Sequence, residues 1–202
     1  MKPLIVAATR FEIQDCIPLM EEKQIPFLIT GVGMTATAYA LGKKLADGRA
    51  YSQVLNVGIA GSFRREIALG ELLYIQRDTF YELGAEDGED FLSIDELGFG
   101  KGSFQASAMM RDMGLLKVDA ITVNKTHGNQ HAIDKVLKRH PQVTAESMEG
   151  AAVFYVCAQE QLPCMQVRAI SNYVERRDKS AWRIDLALKS LNDWLYRFLL
   201  EN

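Results

Sequence analysis

The chain has 202 residues, of which 48% are hydrophobic and 24% charged, with a formal net charge of -3. This composition is typical of a globular protein long enough to bury one substantial core, so we expect a single domain over residues 1–202. The absence of a basic surplus excludes nucleic acid as a favoured partner, and no apolar run has the length of a membrane span or the form of a signal sequence, so no membrane partner and a cytoplasmic location are expected.

Apolar runs and helical periodicity alternate along the first half of the chain. In chain order they predict a strand over 3–8, a mixed helical segment to about residue 22, a strand over 26–30, a turn at Gly31 and Gly33, and a helix over 34–45. A strand over 53–57 follows and is expected to end in a turn formed by Gly58, Ile59, Ala60 and Gly61. A short strand over 72–75 comes next.

The second half begins with residues 82–106, which are rich in glycine and acids and predict a long irregular segment of functional importance. Beyond it the pattern predicts strands over 116–123, 143–147 and 165–170, helices over 127–139 and 150–160, and an amphipathic helix over 182–200. Its apolar face comprises Ile184, Leu188, Leu191, Leu195, Phe198 and Leu199. The alternation predicts an α/β fold, a single-domain sandwich whose central mixed, largely parallel β-sheet is flanked by helices.

Metal and cofactor motifs are weak. Cys16, Cys157 and Cys164 lie in apolar contexts without the paired spacing of a zinc or disulfide site, so buried free thiols and a reducing compartment are expected. His127 and His131 are four residues apart, but no third ligand accompanies them, so we interpret them as structural or solvated. The GVGMTA stretch lacks the third glycine of a dinucleotide fingerprint. We therefore expect neither metal nor cofactor.

Charged residues follow several predicted strands, where ligands of α/β sheets bind. Glu12, Glu149 and Arg168 are three of them, and the glycines at 58 and 61 allow a ligand to approach the backbone. Two acids and an arginine suggest a sugar site, because carboxylates bind ribose hydroxyls, activate water and stabilise a developing positive charge. Spacing alone favours Glu12 as a solvated residue and allows Glu149 as a helix-start carboxylate, whereas Arg168 within an apolar strand requires an anion nearby.

These motifs resemble the nucleoside phosphorylase and nucleosidase superfamily over nearly the whole chain. The residues concerned are a Glu after the first strand, NVGIAG, ESMEG and VRAISN. The resemblance implies a nucleoside phosphorylase-like fold, a small-molecule nucleoside substrate and a homo-oligomer in which a neighbour contributes to the site. It implies that Glu149 binds the ribose hydroxyls, that Met148, beside Ser147, packs on the sugar with Gly150 and Ala151 against the ligand, and that Arg168 holds the nucleophile.

Two positions bear on the reaction. Glu12 matches the general base of nucleosidases, and a carboxylate there, with Ile59 where a phosphate-binding serine could stand, favours water over phosphate as nucleophile. The adenine-cleaving relatives carry Asp where this chain has Asn172. An amide can donate to O6 of a 6-oxopurine, so Asn172 favours hypoxanthine as the leaving base, with solvent supplying the proton.

The stretches SNYVERRDKSAW and AITVNKTHGN are similar to the futalosine hydrolases, which release hypoxanthine from futalosine in menaquinone biosynthesis. That resemblance suggests that Phe91, Phe99 and Phe104 shelter the substrate's aryl ring and that Arg176 or Arg177 meets its carboxylate; a solvated loop remains an equal alternative for each. An adenine-releasing nucleosidase, a purine nucleoside phosphorylase and a non-catalytic nucleoside-binding module also remain open.

Overall fold

The computed structural model describes residues 1–88, 90–108 and 114–201. Ten strands lie within these residues: β1 (Leu4–Ala7), β2 (Phe27–Ile29), β3 (Val54–Ser62), β4 (Leu72–Phe80), β5 (Gly84–Asp87), β6 (Asp90–Ser93), β7 (Ser103–Gln105), β8 (Leu116–Thr122), β9 (Val143–Ser147) and β10 (Cys164–Tyr173). The helices are α1 (Ile17–Glu22), α2 (Met34–Leu45), α3 (Gln130–Arg139), α4 (Gly150–Gln159) and α5 (Ile184–Glu201). Short 3-10 turns cover Arg10–Glu12, Gln14–Cys16 and Lys179–Ala181.

The central sheet is mixed and largely parallel, as predicted. Its strand order is β10-β4-β8-β9-β3-β1-β2, and β10 also pairs with β3, so five of the strands form a closed ring from which β1 and β2 extend. Five strand pairs are parallel, whereas β9 pairs antiparallel to β3, and β4 pairs antiparallel to both β10 and β7. The hairpin of β5 and β6 forms a separate small sheet.

Helices cover both faces of the sheet because its strands alternate the direction of their apolar side chains. On β3, Val54 packs with residues of α2 and α4, whereas its neighbour Leu55 packs with α5. The α5 face predicted from the sequence is buried at Leu191, Leu195, Phe198 and Leu199, but Ile184 is exposed at the helix start. The α/β sandwich is therefore confirmed as a single packed unit.

Four local predictions were wrong or incomplete. Residues 58–61 do not form a turn: β3 continues through them because they pair with β10. Strand β4 extends to Phe80, and the segment predicted as irregular contains the β5–β6 hairpin and β7, while residue 89 within it lies outside the described residues. Helix α3 begins at Gln130, where the Asn129 side chain accepts a hydrogen bond from the Ala132 N–H and caps the helix. His127 therefore precedes the helix.

An uncovered edge of β3 defines where a ligand can approach the sheet. Strand β1 pairs with β3 only as far as Asn56, and β9 joins the same strand only at Gly61. In the described sheet, residues 57–60 thus have a neighbouring strand on the β10 side alone. Backbone groups along this gap remain available to side chains and ligands, since no strand satisfies them there.

Cys16, Cys157 and Cys164 are buried free thiols, as expected. Within the described residues, no helix combines the length and apolarity needed to cross a bilayer.

Candidate active site

Glu12 lies at the gap in the sheet and is buried, contrary to the reading that spacing alone favoured. It ends the 3-10 turn after β1, where its carboxylate accepts hydrogen bonds from the Thr9 N–H (2.8 Å) and from the Ile59 N–H of β3 (3.2 Å). Burial raises the pKa of Glu12 above its ordinary value of 4.5, while the charge of Arg168 and the two N–H groups act in the opposite direction. Glu12 is therefore a carboxylate suited to accepting a proton.

Glu149 is the N-cap residue of α4 and is also buried. Its Oε1 accepts a hydrogen bond from the Gly33 N–H (3.0 Å), and its Oε2 lies 3.7 Å from Nη1 of Arg168. Gly33 has a φ of 96°, a conformation that glycine adopts readily and that begins α2 with its N–H directed at Glu149. Two helix starts thus converge on one carboxylate, and both favour negative charge there.

Arg168 lies under both carboxylates and is 1% exposed. It pairs across the sheet with Gly58, where a Cβ atom would stand 2.2 Å from Nη1 of Arg168 and 2.6 Å from Oε1 of Glu12. Only glycine fits at this position. Nη2 donates to the Gln166 side chain (3.2 Å), and Nε has no hydrogen-bond partner among the described residues. The anion that the sequence required for Arg168 is supplied by Glu12 and Glu149 together.

A buried polar chain behind Arg168 was not predicted. Asp78 accepts hydrogen bonds from the Gln166 Nε2 (2.8 Å) and the Thr122 hydroxyl (2.8 Å), which fixes the Gln166 carbonyl toward Arg168 and Asn56. Burial raises the pKa of Asp78 to about 6 despite these donors. Gln166 lies two residues before Arg168 on β10, so strand alternation was the available signal, since both side chains must share one face.

Gly150 packs against this polar chain. A Cβ atom at Gly150 would stand 2.1 Å from the Asp78 carboxylate and 2.3 Å from Gln166. The Ala151 N–H donates to the Thr122 hydroxyl (2.8 Å). Within the protein, these small residues let the start of α4 approach the chain that supports Arg168, and their predicted contribution to letting the helix start lie against a ligand stays a prediction.

Asn172 is the penultimate residue of strand β10, four residues after Arg168. A bulge at Ser171 shifts the register, so that Asn172 pairs with Gly61 of β3. The Asn172 carboxamide accepts from the Ser171 hydroxyl (2.9 Å) and donates to the Tyr173 carbonyl (3.0 Å), which leaves one N–H available. A Cβ atom at Gly61 would stand 3.2 Å from the Asn172 Nδ2, so Gly61 lets the carboxamide lean across β3.

The other predicted site residues differ in how close they come to this cluster. Ile59 contributes its N–H to Glu12, Ala60 contributes its carbonyl to the Ser171 hydroxyl, Ser147 is buried at the end of β9, and Met148 is half-buried beside Glu149. Arg176 and Arg177 are exposed, and Arg177 stacks on Trp182 with 5.2 Å from Cζ to the ring centroid. The aromatic residues are separate from one another: Phe91 lies under Arg139, Phe99 is exposed, and Phe104 packs on Tyr155.

His127 is paired with a buried carboxylate. Its ring Nδ1 lies 2.7 Å from Oε2 of Glu146, and its backbone N–H donates to Oε1 of Glu146 (3.0 Å). His131 is exposed on α3. Among the described residues, no group of three or more His, Cys, Asp or Glu side chains is arranged to hold a metal ion.

Comparison with known proteins identifies the family of the chain. Residues 19–199 match the phosphorylase superfamily. The futalosine hydrolase of Streptomyces coelicolor is 35% identical to this chain over 175 residues, covering 82% of this chain and 74% of that protein. The chain belongs to the phosphorylase superfamily.

Two solved structures share its fold. The 5'-methylthioadenosine/S-adenosylhomocysteine nucleosidase of Neisseria meningitidis, in complex with methylthio-immucillin-A, has a TM-score of 0.83 at 14% identity and covers 100% of this chain and 99% of that one. The futalosine hydrolase of Helicobacter pylori has a TM-score of 0.80 at 14% identity, covering 100% and 97%. At these identities the likeness concerns the fold alone.

The raised pKa of Asp78 gives a pH-dependent prediction. Because the folded protein holds this proton more tightly than the unfolded chain, the stabilisation is complete below about pH 3.8 and is lost as the pH rises through about 6. Asp78→Asn removes this dependence. Between about pH 4 and 7, the free energy of unfolding of the variant relative to the parent should rise by on the order of 3 kcal/mol, measured by urea denaturation. A difference that does not change with pH would contradict the assignment.

Proposed function

We propose that this protein hydrolyses the N-glycosidic bond of futalosine, releasing hypoxanthine and dehypoxanthine futalosine in the cytoplasm as a step of menaquinone biosynthesis. The similarity to futalosine hydrolases indicates a nucleosidase acting on N-glycosyl bonds. The identity to the Streptomyces coelicolor futalosine hydrolase supports the choice of substrate. The observation that carries the proposal is the buried cluster of Glu12, Glu149 and Arg168 at the open edge of β3.

In the proposed reaction, Glu12 is the general base. Its two oxygens accept hydrogen bonds from backbone N–H groups, so the carboxylate is held in place before any substrate binds. Arg168 lies below it with donors that the protein does not fully satisfy: Nε has no partner among the described residues, and Nη1 is 3.7 Å from its nearest carboxylate oxygen. Together they hold a water for attack on the anomeric carbon, and Glu12 takes its proton.

Glu149 is the residue proposed to bind the ribose. Its carboxylate can accept hydrogen bonds from the 2' and 3' hydroxyls of ribose while Gly33 and the helix starts maintain its position. Breaking the glycosidic bond develops positive charge on the ribose, as in an oxocarbenium ion. The carboxylates of Glu12 and Glu149 both stabilise that charge, and Met148, half-buried beside Glu149, is the residue proposed to pack on the sugar.

Water is favoured over phosphate as the nucleophile on electrostatic grounds. The nucleophile position is bordered by the buried carboxylate of Glu12, which repels an anion. Ile59 contributes an N–H group that Glu12 already uses and an aliphatic side chain, so it offers no hydroxyl to a phosphate. Arg10, which could otherwise attract an anion, is exposed.

Asn172 is the proposed selector of the base. One of its N–H donors is free after the bond to the Tyr173 carbonyl, and this donor suits O6 or N7 of hypoxanthine. Adenine carries an amino group at the 6 position, which would face the same donor. An adenine-releasing nucleosidase is therefore the second candidate. It is less favoured because the Asn172 N–H and the adenine amino group would both be donors facing each other.

The protein is also proposed to act as a homo-oligomer. A cleft of ≈ 500 Å³ between α2 and α4 is lined by apolar residues that include Met34, Ala38, Leu83 and Tyr155. Tyr39 (70% exposed) and Val32 (57% exposed) lie on or beside α2, and a second copy covering this surface would remove them from water. A monomer in sedimentation at micromolar concentration would exclude this arrangement.

The reaction is tested by incubating the purified protein with futalosine, inosine and methylthioadenosine, each with and without phosphate, and separating the free bases by chromatography. We expect hypoxanthine from futalosine with no requirement for phosphate. Adenine from methylthioadenosine as the dominant product would favour the second candidate, and strict phosphate dependence would indicate a phosphorylase. Tight binding without release of any base would indicate a non-catalytic nucleoside-binding module.

Replacing the two carboxylates separates their roles. Glu12→Gln and Glu149→Gln should each lower kcat for futalosine by about 10²-fold or more, because a general base and a charge stabiliser contribute on this scale. The acid limb of the kcat/KM profile, which reflects protonation of a carboxyl whose pKa is raised by burial, should disappear in Glu12→Gln only. Full activity of Glu12→Gln would refute the mechanism.

Arg176 and Arg177 are proposed to meet the carboxylate of the substrate's benzoate group. Both are exposed, and Arg177 is already ordered against Trp182. Replacement of both by alanine should raise KM for futalosine by about tenfold while leaving KM for inosine unchanged, since inosine lacks the carboxylate. Equal KM values for futalosine in the variant and the parent would remove both residues from the binding site.

A further inference from the structure

The His127–Glu146 pair is a buried polar unit that the mechanism above does not use. His127 contacts both oxygens of Glu146: its ring Nδ1 faces Oε2, and its backbone N–H donates to Oε1. The side chains are 10% and 4% exposed. The imidazole also packs against Phe63 and Tyr81, with ring centroids 6.4 Å and 5.3 Å away. Its position and orientation are therefore fixed by contacts on several sides.

Sheet register places this pair opposite Asn172. Gly61 of β3 is the direct partner of Glu146 on β9 and of Asn172 on β10. Directly paired residues direct their side chains to the same face of a sheet, so Glu146 and Asn172 flank Gly61 on one face. Two strand spacings separate them, roughly 10 Å between backbones. Because Gly61 has no side chain, Asn172 leans over β3 toward this carboxylate.

Two loops meet above the same face. Gly128, next to His127, lies beside the segment that follows Asn172: a Cβ atom at Gly128 would stand 3.6 Å from the Arg177 Cβ and 3.7 Å from the Arg177 N. The segment with His127 and Gly128 is thus in contact with the segment that follows Asn172. The Nε2 atom of His127 has no hydrogen-bond partner among the described residues, since Nδ1 is the atom that faces Glu146.

We propose that His127 is the acid that protonates the departing purine and that Glu146 is its positioning residue. This inference rests on the proposed function and deepens it. Asn172 can donate a hydrogen bond to the base but cannot give up a proton, so the base needs another donor or solvent. An imidazole can carry and give up a proton, and that of His127 stands on the other side of Gly61 from Asn172.

The proton balance closes with the groups already placed. As the bond between C1' and the purine nitrogen breaks, its electron pair passes to the base, and the proton on Nε2 of the His127 imidazolium moves to a ring nitrogen of the base. Water adds to C1' and gives its proton to Glu12. Neutral His127 and protonated Glu12 then return to their starting states by exchange of one proton through solvent, and neither oxidant nor cofactor takes part.

The charged groups around the imidazole come from three directions. Glu146 faces it from β9, and Tyr81 faces it from the end of β4, with Arg139 stacked on the outer side of that ring at 3.7 Å. From the third direction, the backbone of Glu175 and Arg177 lies beside Gly128, while the Glu175 carboxylate pairs with Arg65 and the Arg177 guanidinium lies over Trp182. The carboxylate of Glu146 is in direct contact with the ring, whereas the cationic Arg139 is separated from it by Tyr81.

The pH dependence of futalosine hydrolysis tests the proposal. The parent protein should show an alkaline limb in kcat/KM, because the proposed acid must carry a proton to act. His127→Gln should lower kcat by about 10² to 10⁴-fold and abolish that limb. His131→Gln, the same change at an exposed position four residues away, is the matched control and should retain the parent profile.

Glu146→Gln provides a second, independent variant. It should lower kcat with little change in KM, because the imidazole loses the carboxylate that fixes its position. Thermal unfolding checks that each variant is folded. An alkaline limb that persists in folded His127→Gln overturns the proposal, as does a parent profile without such a limb. Release of hypoxanthine by the parent in the same assay tests the proposed function separately, so the two can fail independently.

Discussion

The site depends on the burial of one guanidinium. Arg168 is 1% exposed within β10, and an unpaired charge there would cost several kcal/mol. Its neutralisation requires carboxylates from distant parts of the chain, Glu12 after β1 and Glu149 at the start of α4, to converge on one point. The sheet gap between β1 and β9 is what allows both to arrive, because a continuous strand at that edge would occupy the space.

The site also requires side chains to lie directly against the backbone of β3 and of α4, and glycines at these contacts make room for them. Gly58 permits Arg168 and Glu12 to lie against β3, and Gly150 permits α4 to lie against Asp78 and Gln166. In each case an added Cβ would collide with a polar side-chain atom, so a residue of the site would have to move. The buried chain from Asp78 through Gln166 then orients the guanidinium, since Gln166 must present its carbonyl to Arg168 once its amide is bound by Asp78.

The sequence predicted those features that depend on local periodicity. Alternating strands and helices, the α5 face and the need of Arg168 for an anion follow from spacing and burial costs, and all were found. The turn predicted at Gly58 to Gly61 was wrong because pairing with β10 outweighs the turn preference of glycine. Spacing favoured a solvated Glu12 because its contact with Ile59 is 47 residues away, and Glu146 gave no local signal because His127 is 19 residues away, on the other side of α3. Register and long-range contact are properties that spacing does not encode.

Charge balance links the choice of nucleophile to the proposed transition state. Glu12 and Glu149 offer two negative charges against the single positive charge of Arg168, and Asp78, whose pKa is raised to about 6, adds further negative charge behind it as the pH rises toward neutrality. An excess of negative charge in a buried site repels phosphate and attracts a cationic sugar. In the proposed reaction, the same excess disfavours phosphate as the nucleophile and stabilises the oxocarbenium ion that hydrolysis passes through. In the same proposal, donors at Asn172 and His127 neutralise the negative charge that leaves with the base. The two ends of the breaking bond then meet environments of opposite character.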